Sequence, residues 1–307
     1  MLRALLPLLM LPVLVQAQAP AHHWPLDESS GTVALDIQGG SHGQVQGNTF
    51  WEPLGGHFGG SLRFNGNTAR ALVGPCDLTT GPGDELTLSC WVKPDVVSQS
   101  ERTLMVKTAG NSPSDHIWSL GIVNATAVVF RVKAAGTSVE LQAPPASLFS
   151  GTWYHLAGVY DGAEMRIYIN GALVAFAPQS GVIGFHPQAP ACLANLPNAS
   201  VPYYGWMDDV RIYDRGLDQL EILDLVIGNV PTALQETPTM PGTLGLPGAP
   251  DHPWKELLVL DVQGRSIMRH PLTTGDVRPV LSQLPAGCYL VCLQDGAARW
   301  TTRYAVP

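Results

Sequence analysis

No stretch of this chain is rich in lysine or arginine: 17 basic residues stand against 25 acidic ones, for a formal net charge of −8 over 307 residues. Without a basic run the chain lacks the electrostatic attraction that dominates phosphate binding, so nucleic acid is excluded as a partner. Long apolar runs are equally scarce. After the first 17 residues none approaches the roughly 20 residues needed to cross a bilayer, so no membrane span is expected. Helical periodicity is almost absent, which argues against an all-α fold. The signatures of common catalytic sites are missing as well: there is no Gly-x-Ser-x-Gly elbow, no His-Glu-x-x-His and no phosphate-binding glycine loop. Nine histidines are scattered without zinc-like spacing. His22 and His23 read as a solvated pair, and His155 as a hydrogen-bonded core histidine.

Cysteine is sparse and odd in number, five in all, so at least one is unpaired or all are reduced. Cys288 and Cys292 lie four residues apart on one expected strand, roughly 13 Å at strand rise. That exceeds the about 7 Å that a disulfide spans between Cα atoms. Cys76, Cys90 and Cys192 remain, and the residues leave the pairing open. Cys76 with Cys192 is the preferred pair, with Cys90 read as a small buried hydrophobe.

Residues 1–17 carry Arg3, an apolar run from Ala4 to Val15 and a small-residue end, which predicts a signal peptide cleaved after Ala17 and a secreted or cell-surface protein. Residues 229–250 hold five prolines, three glycines and one charge, Glu236, the composition of a linker. The expected organisation is therefore a signal peptide 1–17, a large domain 18–228, a linker 229–250 and a small domain 251–307.

The large domain reads as β throughout. Leu86 to Pro94 alternates and stops at a proline, and Thr103 to Lys107, Ile117 to Val123 and Val128 to Lys133 are further strands. Trp153 to Tyr160 and Met165 to Ile169 flank Asp161-Gly162, and Asn170-Gly171 leads on to Leu173-Val174, so three strands should form a meander. After a strand Met207 to Tyr213, Asp218 with Glu221 forms an acidic capping box for a helix Gln219 to Val226, with Leu217 and Ile222 as a hydrophobic staple.

Several motifs then occur in a consistent order: Trp24-Pro25-Leu26-Asp27-Glu28, Asp36 with Gly39-Gly40, Leu62-Arg63-Phe64-Asn65-Gly66, Leu88 to Pro94, Trp153-Tyr154-His155, Asn170-Gly171, and Gly205 to Leu217. Over residues 22–226 this resembles the laminin-G-like jelly-roll domain. The resemblance implies an all-β, concanavalin A-like antiparallel sandwich. The small domain has Leu257 to Arg265, Leu284-Pro285-Ala286-Gly287-x-Tyr289 to Leu293, and Asp295-Gly296 closing a hairpin onto Trp300. It resembles the C-terminal sorting domain of type IX secretion substrates, which implies a small Ig-like β-sandwich acting as an export address for the type IX machinery. It departs from that pattern at Gly248 to Pro253, where an Asn-Pro opening is missing, and at the terminal Pro307.

The jelly-roll resemblance implies binding, with a glycan as the first ligand class and a cell-surface protein as the alternative. A glycoside hydrolase with an unrecognised site ranks lower. Related glucanases place two carboxylates on one strand face, whereas Asp84-Glu85, Glu164 and Glu221 here fall at turns and a helix start. Tyr203, Tyr204 and Trp206 are the candidate ligand platform, since rings near turns can stack on sugars. Phe50 and Trp51 also fall near a turn, while Trp91 and Trp153 read as core. Strand alternation puts Asp208 on the apolar face with Val210 and Ile212, where an unpaired carboxylate is costly. The resemblance makes Asp36, Asp208 and Asp209 candidate ligands of a structural calcium. The competing reading is an Asx-turn at Asp36 and amide capping at Asp208.

Overall fold

The computed structural model describes residues 19–78, 85–95, 101–124, 126–145, 148–184, 186–228, 254–260, 266–272, 277–285, 287–295 and 299–306. The expected signal peptide, the linker and Asp84 lie outside the described residues. Among those described, no helix is long and apolar enough to cross a membrane.

The strands are β1 His22–Trp24, β2 Val33–Ala34, β3 Gly43–Gln46, β4 Thr49–Glu52, β5 Ser61–Asn65, β6 Arg70–Gly74, β7 Leu86–Pro94, β8 Glu101–Thr108, β9 His116–Val123 and β10 Ala127–Ala134. They continue with β11 Thr137–Gln142, β12 Tyr154–Tyr160, β13 Glu164–Ile169, β14 Ala172–Pro178, β15 Ala191–Leu193, β16 Tyr204–Tyr213, β17 Glu256–Leu260, β18 Ser266–Pro271, β19 Gly287–Gln294 and β20 Arg299–Val306. The helices are α1 Gln219–Val226 and α2 Arg278–Leu281.

Two eight-stranded antiparallel sheets face one another. The first runs β14-β13-β12-β7-β16-β5-β4, with β1 added to β16, and the second runs β11-β10-β9-β8-β15-β6-β3-β2. This is the concanavalin A-like sandwich that the motifs imply. The meander β12-β13-β14 forms as expected, with Asn170 and Gly171 both at positive φ (50° and 82°), the turn that matches strand twist. Between the sheets Trp24, Phe64, Trp118 and Phe130 are buried with the aliphatic positions of both inner faces. Gly158 on β12 makes room for Phe130, since a Cβ there would overlap the phenyl ring.

The helix α1 starts as its capping box predicts: Asp218 accepts from the Glu221 amide at 2.8 Å, and Glu221 accepts from the Asp218 amide at 2.9 Å. Its apolar side, with Leu217 and Ile222, covers Ala157, Val159, Tyr168 and Tyr213 on the outer face of the first sheet. One end of that outer face is thus covered by α1.

The alternation expected for β16 breaks in its middle. Met207 pairs with Val92 and Asp208 with Trp91, but Arg211 pairs with Ser89, so β16 has one residue more than β7. The extra residue is Asp209, at φ 50°, a β-bulge. Met207, Val210 and Ile212 therefore all line the core, while Asp208 turns to the outer face. This corrects the expectation that Asp208 shares a face with Val210 and Ile212.

The small C-terminal unit is β as expected. Its described residues form one antiparallel sheet, β18-β17-β19-β20. Leu257, Val259, Val291 and Leu293 make its core with Val277, Leu281 and Leu284 from the α2 region, so among the described residues the facing layer is helical rather than a second sheet. Cys288 and Cys292 lie on the single strand β19.

Candidate functional site

The outer face of the first sheet carries a row that crosses neighbouring strands. Phe50 on β4 is in register with Arg63 on β5, Arg63 with Trp206 on β16, and Trp206 with Lys93 on β7. Tyr154 pairs with Val92, which sets Trp153 beside Lys93. Aromatic and cationic side chains thus alternate: Phe50, Arg63, Trp206, Lys93, Trp153. The Arg63 guanidinium lies 4.5 Å from the Trp206 ring centre and the Lys93 ammonium 4.1 Å from it. Lys93 is also 5.1 Å from the ring of Trp153, so both cations are held by ring faces. Arg63 also donates to Asp95 at 2.6 Å. Phe50 is 48% exposed, and the other four are half-buried.

Two residues away along β16, β7 and β12 lies a second row, Asp208, Trp91 and His155. All three are buried, because the loop from Gly55 to Gly60 folds over them. His57 stacks on Trp91 with ring centres 3.5 Å apart, and Phe58 meets the same ring edge-on at 5.9 Å. The loop is tied down by Asp208, whose Oδ2 accepts from the amides of His57 at 2.7 Å and Phe58 at 2.8 Å. From the other side Asp27 accepts from the Gly60 amide at 2.6 Å. Glycine is required at position 59, where φ is 70° and a Cβ would press on Asp27.

Burial shifts the ionisable groups of this sealed row. It pushes the Asp208 carboxyl up to about 7 against the lowering pull of the Phe58 amide, with the Asp209 charge adding to the rise. The other oxygen, Oδ1, has no hydrogen-bond partner among the described residues. Burial takes His155 down to about 3, and its Nδ1 is likewise unpartnered. His155 is therefore buried as expected, but it packs against Trp91 on the outer face and lacks the hydrogen bond expected of it at Nδ1.

The three acids expected to share a calcium stand apart in function. Asp36 Oδ1 accepts from the amides of His23, Gln38 and Gly39, and Oδ2 accepts from the Ser41 amide and lies 2.7 Å from His22 Nδ1. Burial raises its pKa, but the His22 bond and these amides outweigh burial and hold the carboxyl well below the usual range. Asp209 lies 2.7 Å from His23 Nε2 and 2.9 Å from Arg211 Nη2. Burial raises it too, and the His23 bond and Arg211 charge bring it down overall. Both carboxylates are thus taken by nitrogen donors and do not fit an oxygen-coordinated cation. Among the described residues, no group of three or more His, Cys, Asp or Glu is placed to hold a metal.

Of the expected platform, only Trp206 lies in the open row. Tyr203 is a core residue, its hydroxyl donating to the Trp206 carbonyl at 3.3 Å. Tyr204 is a half-buried loop anchor: its ring lies against Gly66 and its hydroxyl donates to Asn67 Oδ1 at 3.2 Å. Trp153, read as core, is half-buried in the row instead. The cations Arg63 and Lys93 and the loop residues His57 and Phe58 were not singled out. Their alternation was visible in the sequence, but the strand order that sets them side by side was not.

Glu85 accepts from the Gly216 amide, Glu164 lies 3.5 Å from Arg166, and Glu221 caps α1 and pairs with Arg215. Cys76 and Cys192 are buried and unbonded, which corrects the preferred disulfide. The Cys76 thiol donates to the Val73 carbonyl at 3.3 Å, while Cys192 sits in a separate apolar cluster with Val106 and Leu196. Burial pushes both thiols up to about 12, so neither is a reactive nucleophile.

Residues 65–223 match the Laminin_G_3 family model, described as the concanavalin A-like lectin/glucanases superfamily. A comparison with the curated proteins finds no match. Among solved structures, the binding domain of Paraclostridial Mosquitocidal Protein 1 is 15% identical with a TM-score of 0.53, covering 68% of this chain and 52% of that one. Domain 4 of AbnA, a GH43 extracellular arabinanase from Geobacillus stearothermophilus solved with arabinotriose, is 18% identical with a TM-score of 0.52, covering 68% of this chain and 98% of that one. The receptor-binding domain of the botulinum neurotoxin C/D mosaic serotype is 12% identical with a TM-score of 0.52, covering 92% and 72%. This chain spans about half the length of the first of these. At such identities the likeness is one of fold.

Proposed function

The chain belongs to the concanavalin A-like lectin/glucanases superfamily, and on that premise we propose that residues 18–228 are a non-catalytic glycan-binding module. The observation that carries this reading is the open row Phe50, Arg63, Trp206, Lys93 and Trp153. A solvent-facing band of rings and cations across five strands is the kind of surface that holds a polyhydroxylated chain. The same fold occurs in a domain solved with arabinotriose and in a receptor-binding domain, which supports a binding role. Catalysis is disfavoured because Glu85, Glu164 and Glu221 are spent on local structure. Asp208 and Asp209 have pKa values pushed apart, as an acid–base pair would, but Asp208 is 0% exposed beneath its loop and no substrate reaches it.

Among the described residues, the place that would suit a calcium ion best is Asp208, together with Asp27. The fit rests on the orphaned, buried Asp208 Oδ1 and on the glycine loop that both carboxylates grip. A hard cation there supplies the charge that keeps Asp208 ionised and strengthens the hold on the loop. Export to the cell surface through residues 1–17 and a type IX address in residues 251–307 completes the reading. The C-terminal sheet has an apolar core of its own, and Leu260 at the end of β17 also packs against Leu220 and Leu223 of α1.

The test is retention of the purified protein on a panel of immobilised polysaccharides, with calcium and with chelator. Retention that is lost in Trp206→Ala supports the reading. Retention by none of them removes it and leaves a protein ligand as the successor.

A further inference from the structure

We infer that the glycan bound along the open row is anionic, carrying carboxylate or sulfate groups, and that Lys93 is the residue that selects it. This rests on the glycan reading and narrows it to a chemical class.

The argument starts from how the row uses its ring faces. Trp206 stands between strands that bring Arg63 and Lys93 to 4.5 Å and 4.1 Å of its ring centre. Its faces are therefore turned to cations and are not offered to a sugar. The polar groups of this part of the row are mostly donors: the guanidinium, the ammonium, and the indole N–H groups of Trp206 and Trp153, neither of which has a hydrogen-bond partner among the described residues; the acceptor beside them is the Asp95 carboxylate, which is taken by Arg63. A neutral sugar hydroxyl both donates and accepts, and so gains from a mixed lining. A lining dominated by donors favours a group that only accepts, and a carboxylate or sulfate is such a group.

The two cations are not equivalent. Arg63 already has the Asp95 carboxylate at 2.6 Å, so its charge is largely answered. Lys93 makes no ion pair and no hydrogen bond among the described residues, and its ammonium lies 5.1 Å and 4.1 Å from the ring centres of Trp153 and Trp206. It is a positive charge held in place without an anion, in a chain whose net charge is −8. An incoming anion adds Coulomb attraction to the cation–π contact already present.

The spacing agrees. Adjacent strands lie about 4.8 Å apart, so Arg63 and Lys93, two strands apart, are separated by about 10 Å across the sheet. One strand spacing is close to the length of one pyranose in an extended chain, and two spacings to a disaccharide. A charge on alternate sugars would meet the cations in step, with Phe50 and Trp153 flanking the neutral sugars at either end.

The experiment compares affinity of the purified protein for polygalacturonate (carboxylate), dextran sulfate (sulfate) and dextran (neutral) by affinity electrophoresis at low and high salt. Four variants are run beside the parent: Lys93→Gln, Asp95→Asn, Trp206→Ala, and Lys133→Gln as a cation on the other sheet. The expected result is tighter binding to one of the two acidic polymers than to dextran. Lys93→Gln should lose about tenfold, one charge-assisted contact, and flatten the salt dependence. Asp95→Asn, which releases Arg63, should gain affinity, and Lys133→Gln should match the parent. Which acidic polymer is preferred names the anionic group. Equal binding to dextran with Lys93→Gln unaffected would overturn the anionic assignment and leave the glycan reading standing. An equal loss in Lys133→Gln would also overturn it, by showing general charge attraction. Binding to no polysaccharide would overturn both.

Discussion

The two rows on the outer face of the first sheet use the same strands and similar residues, yet they behave differently. Trp206, Lys93 and Trp153 are open and keep their cations at ring faces. Two residues away, Asp208, Trp91 and His155 are sealed by a six-residue glycine-rich loop. Sealing removes water, and without water a carboxyl rises to about 7 and an imidazole falls to about 3. The difference teaches that perturbed ionisation here marks burial under a loop, whereas the row proposed as the recognition surface is the one whose charges remain solvated. On the proposed reading, the sealed row fixes the wall and the open row meets the ligand.

If that division holds, substitutions in the sealed row should cost stability and those in the open row should cost ligand. The largest effect is expected for Asp208→Ala, which deprives the His57 and Phe58 amides of their acceptor and frees the loop. The loss should be about 3 kcal/mol, read from the urea midpoint, and Asp208→Asn should recover most of it. Next comes the pH response of His155, which faces Trp91 on its own sheet, His57 from the loop and the Asp209 and Arg211 charges from β16. Its folded pKa lies below the unfolded value, so its contribution is full above about 6.5 and is lost as pH falls toward 3. At pH 5 the unfolded chain takes up the proton and the folded one does not, a penalty on the order of 2 kcal/mol. His155→Phe should remove that share of the slope in denaturation curves at pH 7 and pH 5. A slope unchanged by the substitution would mean that the imidazole is not sealed.

The open row should respond in the opposite way. Trp206→Ala should lower the melting free energy by less than about 1 kcal/mol, as half-exposed side chains do, while polysaccharide retention falls at least tenfold. Smallest of all, thiol-specific reagents should modify Cys76, Cys90 and Cys192 no faster than global unfolding allows. Their thiols are buried, which pushes Cys76 and Cys192 up to about 12 and raises Cys90 well above the usual thiol range. Rapid labelling of the native protein would contradict the unbonded, sealed placement.

Much of the frame was legible from local chemistry. Asp161-Gly162 and Asn170-Gly171 announced the meander, Pro94 ended β7, and the Asp218–Glu221 pair set the start of α1, because turns and caps are decided within a few residues. The site was less legible because it depends on pairing across the chain. Trp206 meets Arg63 and Lys93 only because β16 lies between β5 and β7, strands more than a hundred residues earlier. The bulge at Asp209 is a one-residue change of register that no periodicity displays, and it alone moved Asp208 out of the core. Tyr203 and Tyr204 looked alike as a pair, but alternation buried the first and left the second anchoring a loop.

The central claim is that the open row is the recognition surface and the sealed row is its support. The most direct test is to measure polysaccharide affinity and urea stability together for Trp206→Ala and Trp153→Ala. The account predicts parent-like unfolding midpoints with retention lost in both. Retention equal to the parent's in both variants, on every polysaccharide that the parent binds, would contradict it.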